Sequence, residues 1–177
     1  MLRADQAAEY FLWLACQEES DLISNLKLQK LLYYAQGYCL ARLGRPLFDA
    51  QIVAWDHGPV VQDIYHEYKR YGNEALPCPG HLASKRYDDQ ERSIMQEVYN
   101  IYGQFSAWKL RNMAHEEPLW QNTKIGDVIP IGRLREYFLT RIQFRPVVVQ
   151  TEVSGWEDVA DEILEERHEL WEKLARV

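Results

Sequence analysis

Apolar side chains return at three- and four-residue intervals through most of this chain, the spacing that lines one face of an α-helix. Ala7, Ala8, Phe11, Leu12, Leu14 and Ala15 form the first such face, with Asp5 placed to cap it, and the helix is expected to run to about Glu19. A second helix opens after Ser24 or Asn25 and reaches Leu43, where Gly44 supplies a left-handed terminator. Its stripe of Leu28, Leu31, Leu32, Ala35 and Cys39 is widened by Tyr33, Tyr34, Tyr38 and Leu40 until little of the cylinder is polar. Such a helix is expected at the centre of the fold. Two readings compete for its lysines, Lys27 and Lys30. Either they snorkel at the rim of a buried helix, or Lys30 and Tyr34, one turn apart, line a surface pocket.

Past Gly44 the period changes. Leu47 and Phe48 plug the core, and Gln51 to Trp55 has the β-branched look of a short strand. Gly58 and Pro59 are expected to open a helix, with Pro59 at its first position, so that Asp56 and His57 stand just ahead of a helix N-terminus. That helix should bury Val60, Val61, Ile64, Tyr65 and Tyr68 and stop at Gly72, before a loop from Asn73 to Tyr87. Asp88 or Asp89 caps a helix with Ile94, Val98, Ile101 and Tyr102 on one face. Ser106 caps the next, with Ala107, Leu110 and Ala114 inward and an end near His115 set by Pro118. Trp120 is expected to fold back as an aromatic plug, and Asp127 to Ile131 to pair with Gln51 to Trp55. Leu134, Tyr137 and Phe138 mark a further helix.

The C-terminal part, 146–177, reads as a second unit after a first spanning 1–145. Pro146 and Val147 to Val149 suggest a connector or edge strand, and Trp156, Val159, Ala160, Ile163, Leu164, Arg167, Leu170, Trp171 and Leu174 share one helix face. The fold class that emerges is mainly α: five to seven helices around a central one, with a small two-stranded ribbon.

Charge sharpens the picture. Of a net −7, residues 155–177 supply −5, from eight acidic and three basic side chains. An acidic segment repels phosphate backbones, which disfavours a nucleic-acid partner and favours a basic one; equally, the charges can simply solvate the helix. No apolar run is long enough for a membrane span, and the start of the chain lacks the features of a secretion signal, so a cytoplasmic protein is expected. Cys16, Cys39 and Cys78 form no metal spacing, and an odd count in such a setting predicts reduced thiols packed as small hydrophobes.

Catalytic spacing is sparse. Asp56 with His57, and His115 with Glu116 and Glu117, are the sets from which the fold could assemble a metal or acid/base site, and Asp56, His57, His115 and Glu116 the ones a metal-dependent hydrolase or nuclease-like centre would use. No serine stands in a nucleophile motif, and no glycine-rich loop is suited to cradle a phosphate. Four strings instead set residue types at fixed local positions: KLQKLLYYAQ (Lys27 to Gln36), PLFD (Pro46 to Asp49), AWDHGPVV (Ala54 to Val61) and HEEPLW (His115 to Trp120), the last preceded by Leu110. In this order, over about Leu26 to Phe138, they resemble the Panacea, or SocA-like, antitoxin domain of bacteria and their phages, a family also described as phage-associated GepA-like proteins. The resemblance implies a protein-binding module that neutralises a toxin encoded nearby, by covering it or by delivering it to a protease, without cofactor or catalytic residues of its own. The apolar stripe of the tail is expected to dock on its own domain, on a second copy of the chain as a homodimer, or on the toxin. The residues assigned to partner binding on this reading are Lys27, Lys30, Tyr34, Trp55, Asp56, His57, His115, Glu116, Trp120, Trp156 and Trp171.

Overall fold

Helix α2 (Asn25–Leu43) is the element around which the others assemble, and sixteen of its nineteen residues are buried. The Ser24 side chain accepts from the Lys27 N–H at its start, and Gly44, at φ 68°, closes it with a hydrogen bond to the Leu40 carbonyl. The computed structural model describes residues 1–17, 23–80, 82–83 and 86–142. The tail unit 146–177, with Trp156, Trp171 and the predicted acidic helix, lies outside the described residues.

Around α2 pack α1 (Ala4–Gln17), α3 (Gln62–Tyr68), α4 (Asp89–Tyr102), α5 (Ala107–His115) and α7 (Ile131–Arg141), while the single turn α6 (Pro118–Gln121) joins α5 to α7. The mainly α architecture is as predicted. Asp5 falls inside the first turn of α1 rather than capping it, and the Gln6 side chain accepts from the Arg3 N–H instead. Asp88 caps α4 in a reciprocal box with Glu91, and Ser106 caps α5. Ile94, Met95, Val98 and Tyr99 face inward from α4; Ile101, expected beside them, is exposed because it lies past the edge of that stripe.

Gly37 lets α7 close on α2, since a β-carbon there would collide with the Phe138 ring. Phe138 instead sits edge-on to Tyr33 at 5.6 Å and to Tyr38 at 5.9 Å. Tyr34 stacks flat on Tyr102 of α4 at 3.9 Å.

The ribbon is present but built differently from expectation. Strands β1 (Val53–Trp55) and β2 (Gly58–Val60) pair antiparallel, Val53 opposite Val60 and Trp55 opposite Gly58, around the two-residue turn Asp56-His57. Gly58 and Pro59 are therefore strand residues, not a helix entry. A glycine at φ 96° closes the hairpin, and the helix waits for Gln62, with Val61 as its N-cap. The extended piece after Gly126 joins the other edge of β1 through a single Val53–Val128 bridge, with the Ala54 N–H donating to Asp127 at 3.0 Å and Ile129 to Ile52 at 2.8 Å. A 3₁₀ turn, Lys69–Tyr71, follows α3 and ends at Gly72.

Cys16 and Cys78 are joined in a disulfide across 62 residues of sequence, which corrects the expectation of three free thiols. The loop carrying Cys78 lies alongside the start of α2, with the Leu76 N–H donating to the Ile23 carbonyl at 2.8 Å, and this places the two cysteines side by side. Cys39 alone is free and buried, its thiol pushed up to about 11 by burial, which suits inert packing.

Candidate protein-binding site

A buried helix that carries amides must find partners for them, and those of α2 bind the segments that shape the surface above. Gln36 donates to the Phe48 carbonyl at 3.0 Å and accepts from the N–H groups of Leu47 and Phe48, so the Pro46 to Asp49 stretch is held by one side chain. Two turns earlier, Gln29 accepts from the Val61 N–H at 2.8 Å and donates to Asn25, which in turn donates to the Tyr65 carbonyl at 3.1 Å. This chain of amides fixes the exit of the hairpin and the course of α3.

Lys30 lies between those two clamps and is fully buried. Its Nζ donates to the Pro59 carbonyl at 2.9 Å, and a β-carbon on Gly58 would come within 2.8 Å of its Cε. Burial first, and the Arg111 charge second, bring its pKa down to about 7. Neither sequence reading of this residue survives: Lys30 neither snorkels nor lines a surface pocket, and Tyr34 is 1% exposed. Lys27 is buried as well.

The outward side of this layer is a groove of about 530 Å³ lined by Gln29, Trp55, Asp56, His57, Tyr65 and Trp108, among others. Trp55 packs edge-on to Tyr65 at 4.9 Å, and His57, exposed in the hairpin turn, faces Trp108 at 5.9 Å. Trp108 is 60% exposed and Ile125, which also lines the groove, 46%. Behind the turn, His115 stacks on Trp120 at 3.7 Å, and the Trp120 indole N–H donates to the Trp55 carbonyl at 2.9 Å. Trp120 is thus the aromatic plug the sequence predicted, and it braces the hairpin. Burial lowers the His115 pKa, helped by the charges of Arg111, Lys30 and His57.

The structure therefore brings Trp55, Asp56 and His57 into the groove and sets Lys30, His115 and Trp120 directly behind it. It separates Glu116, which is exposed at the end of α5. Among the described residues, no three His, Cys, Asp or Glu side chains come close enough together to hold a metal ion, and His115 is taken up in its stack on Trp120.

Sequence reasoning missed three participants, Trp108, Gln29 and Gln36, and named Glu117 without its burial. Trp108 had a readable signal, because it falls off the Leu110–Ala114 stripe and a tryptophan on the polar face of a helix is an exposed aromatic. Gln29 and Gln36 gave a partial one, as polar residues on an otherwise apolar cylinder. Glu117 stood with Glu116 beside His115 as an acid/base candidate, but nothing in HEEPLW distinguishes the exposed Glu116 from its buried neighbour. Glu117 is 4% exposed, accepts a short hydrogen bond from Tyr33, and is pushed up to about 7 by burial against the pull of that hydroxyl and of Arg141.

The family model described as "Antitoxin SocA-like, Panacea domain" matches residues 28–121, more than half of the chain, from the first turn of α2 to the end of α6. Over 50 residues the chain is 48% identical to the antitoxin SocA of Caulobacter vibrioides (strain NA1000 / CB15N), a stretch that makes up 28% of this chain and 27% of that protein. No solved structure matches.

Proposed function

This chain belongs to the SocA-like antitoxin family defined by the Panacea domain, and from that membership we propose that it neutralises a cognate toxin by direct contact through the groove around the hairpin turn. The observation that carries the reading is that the family match over residues 28–121 includes most of the groove's lining, Gln29 of α2, the hairpin residues Trp55, Asp56, His57 and Val60, and Trp108 of α5 among them. Trp108 and Ile125 leave large apolar surfaces in water beside Trp55 and His57, the composition that anchors protein–protein contacts. Their support is rigid, because Gln29, Lys30 and Trp120 each tie the hairpin to a helix. A rigid aromatic patch binds with little ordering cost, which suits occlusion of a toxin. No observation favours the hydrolase alternative.

Co-expression with each neighbouring open reading frame tests the proposal. One of them should arrest growth alone and be harmless together with this chain, and the two proteins should copurify. Trp108→Ala should leave the thermal melt within about 0.5 kcal/mol of wild type and weaken partner binding by about 2 kcal/mol or more. Neutralisation reproduced with purified proteins separates occlusion from delivery to a protease. If no neighbour is toxic and nothing copurifies, the proposal falls.

A further inference from the structure

The Cys16–Cys78 disulfide sits where little else holds the chain. Cys78 stands exposed between Pro77 and Pro79, two residues with no N–H to give, and among the described residues no backbone hydrogen bond reaches positions 77–80. Cys16, in the last turn of α1, is half-buried. Just upstream of Cys78 the chain does pair. Ala75 bridges Ser24, and the Leu76 N–H donates to the Ile23 carbonyl at 2.8 Å, with the Leu76 side chain buried. The disulfide lies two residues beyond the last of these contacts and fastens the pairing at its open end.

That pairing belongs to the groove around the hairpin turn. Asn25 and Leu26 follow Ser24, Gly72 and Asn73 precede Ala75, and all four line the groove. One wall of the groove is thus held from within by the Asn25 amide, which donates to the Tyr65 carbonyl, and from without by the disulfide. A disulfide with an exposed cysteine is open to thiol–disulfide exchange in a way that one sealed in a core is not. Cys39 is buried, which keeps it out of the exchange.

We propose that Cys16–Cys78 is a redox latch on the groove: a dithiol reductant opens it, the wall formed by Asn25, Leu26, Gly72 and Asn73 loosens, and partner binding weakens. The reductant's thiolate attacks the sulfur of the exposed Cys78, and the bond to Cys16 breaks, with Cys16 leaving as a thiolate that takes up a proton. The reductant's second thiol, once deprotonated, displaces Cys78 from the mixed disulfide. Two electrons pass to the protein, which ends with two thiols, while the reductant ends as a disulfide. Positions 77–80 then lose their tie to α1, and the pairing of Ile23 and Ser24 with Ala75 and Leu76 is left to a single bridge and its hydrogen bond. A wall that has to be ordered on binding costs affinity that a fastened one does not. The inference rests on the antitoxin reading for the partner, but not for the latch itself.

The full chain, isotope-labelled and free of denaturant, is compared before and after treatment with dithiothreitol, with backbone amide order parameters as the readout. On reduction the Cys78 and Gly80 amides should fall from near the rigid value of about 0.85 to below about 0.6, with Ala75 and Leu76 following part of the way. Leu47 and Phe48, clamped by Gln36, should keep theirs, and reoxidation should restore the loop. The double variant Cys16→Ser, Cys78→Ser should match the reduced chain and ignore dithiothreitol. A bond that dithiothreitol does not open without denaturant, or order parameters that stay unchanged once it is open, overturns the proposal. So does a loss of order everywhere at once, which marks a brace of the whole fold and not a latch on one wall. Against a neighbour-encoded protein that copurifies with this chain, the reduced form should bind about tenfold or more weakly than the oxidised form. Equal affinity sinks the redox control and leaves the antitoxin reading standing. A latch that opens as described, in a chain with no toxic neighbour, does the reverse.

Discussion

Gly58 is the residue on which the geometry of the groove turns. Its φ of 96° is strained for any side chain, and a β-carbon there would stand 2.8 Å from the Lys30 Cε. Lys30 cannot retreat, because it is enclosed on all sides and its Nζ is bound to Pro59. Gly58→Ala should therefore cost about 1–3 kcal/mol, from backbone strain together with overpacking, and show as a lower urea midpoint. The same change at Gly44, where a positive φ meets open space, should cost only the backbone part. A Gly58 variant as stable as the Gly44 one would mean that Lys30 has more freedom than the packing implies. The two lysines of KLQKLLYYAQ also show why residue type alone misleads at this scale. A Lys on a helix near the centre of a fold normally finds water with its ammonium, and here the hairpin closes over it.

At the scale of elements, the glutamines of α2 do what helix ends and turns do elsewhere: they terminate backbone groups of other segments. Replacing Gln36 by Leu keeps the volume roughly constant but leaves the buried N–H groups of Leu47 and Phe48 without their acceptor, each at about 1–3 kcal/mol. Gln90, exposed on α4, is the control and should change stability by less than about 0.5 kcal/mol. The disulfide acts on the unfolded chain instead. Closing a loop of 62 residues of separation stabilises by about 4 kcal/mol on the chain-entropy model, so dithiothreitol or Cys78→Ser should lower the stability by a like amount while Cys39, buried and unpaired, is left untouched. These elements were unequally legible in the sequence. The helices were readable because a 3.6-residue stripe and its caps are local, and Ser24, Gly44, Asp88 and Ser106 act where they stand. The hairpin was misread as a helix entry because Gly-Pro suits both, and the choice is made by Lys30 and Gln29, about thirty residues away, which hold Pro59 and Val61 extended. The disulfide was invisible for the same reason: the fold brings Cys16 and Cys78 together, and no local motif does. Of the site, Trp55, Asp56, His57 and Trp120 were found through the motifs, whereas Arg111, Trp108 and Glu117 depend on which side of a helix faces which neighbour.

The whole molecule carries two buried ionisable groups whose titrations oppose each other. Glu117, near 4.5 when unfolded and about 7 when folded, keeps its proton in the native state through a window where the unfolded chain has lost it. Its contribution to stability therefore falls as pH rises from about 4.5 to 7 and is constant above that. Lys30, near 10.5 unfolded and about 7 folded, is protonated in the unfolded chain and neutral in the native one between those values. Its contribution rises with pH from about 7 to 10.5 and is lowest at and below 7. Glu117 costs the fold most above about pH 7 and Lys30 below it, so their full costs meet only near 7 and together they hollow out the stability profile around neutral pH, against the background of all the surface carboxylates. Differences between variants remove that background. Glu117→Gln, which keeps an acceptor for Tyr33, should gain on wild type as pH is raised from about 5 to 7, by on the order of a few kcal/mol, and then run parallel to it. Lys30→Met should hold its advantage up to about pH 7 and lose it progressively toward pH 10. Urea unfolding across that range decides the matter: flat differences for both variants would mean that the two side chains meet water in the native state, and that the layer beneath the groove is wetter and looser than a rigid binding platform requires.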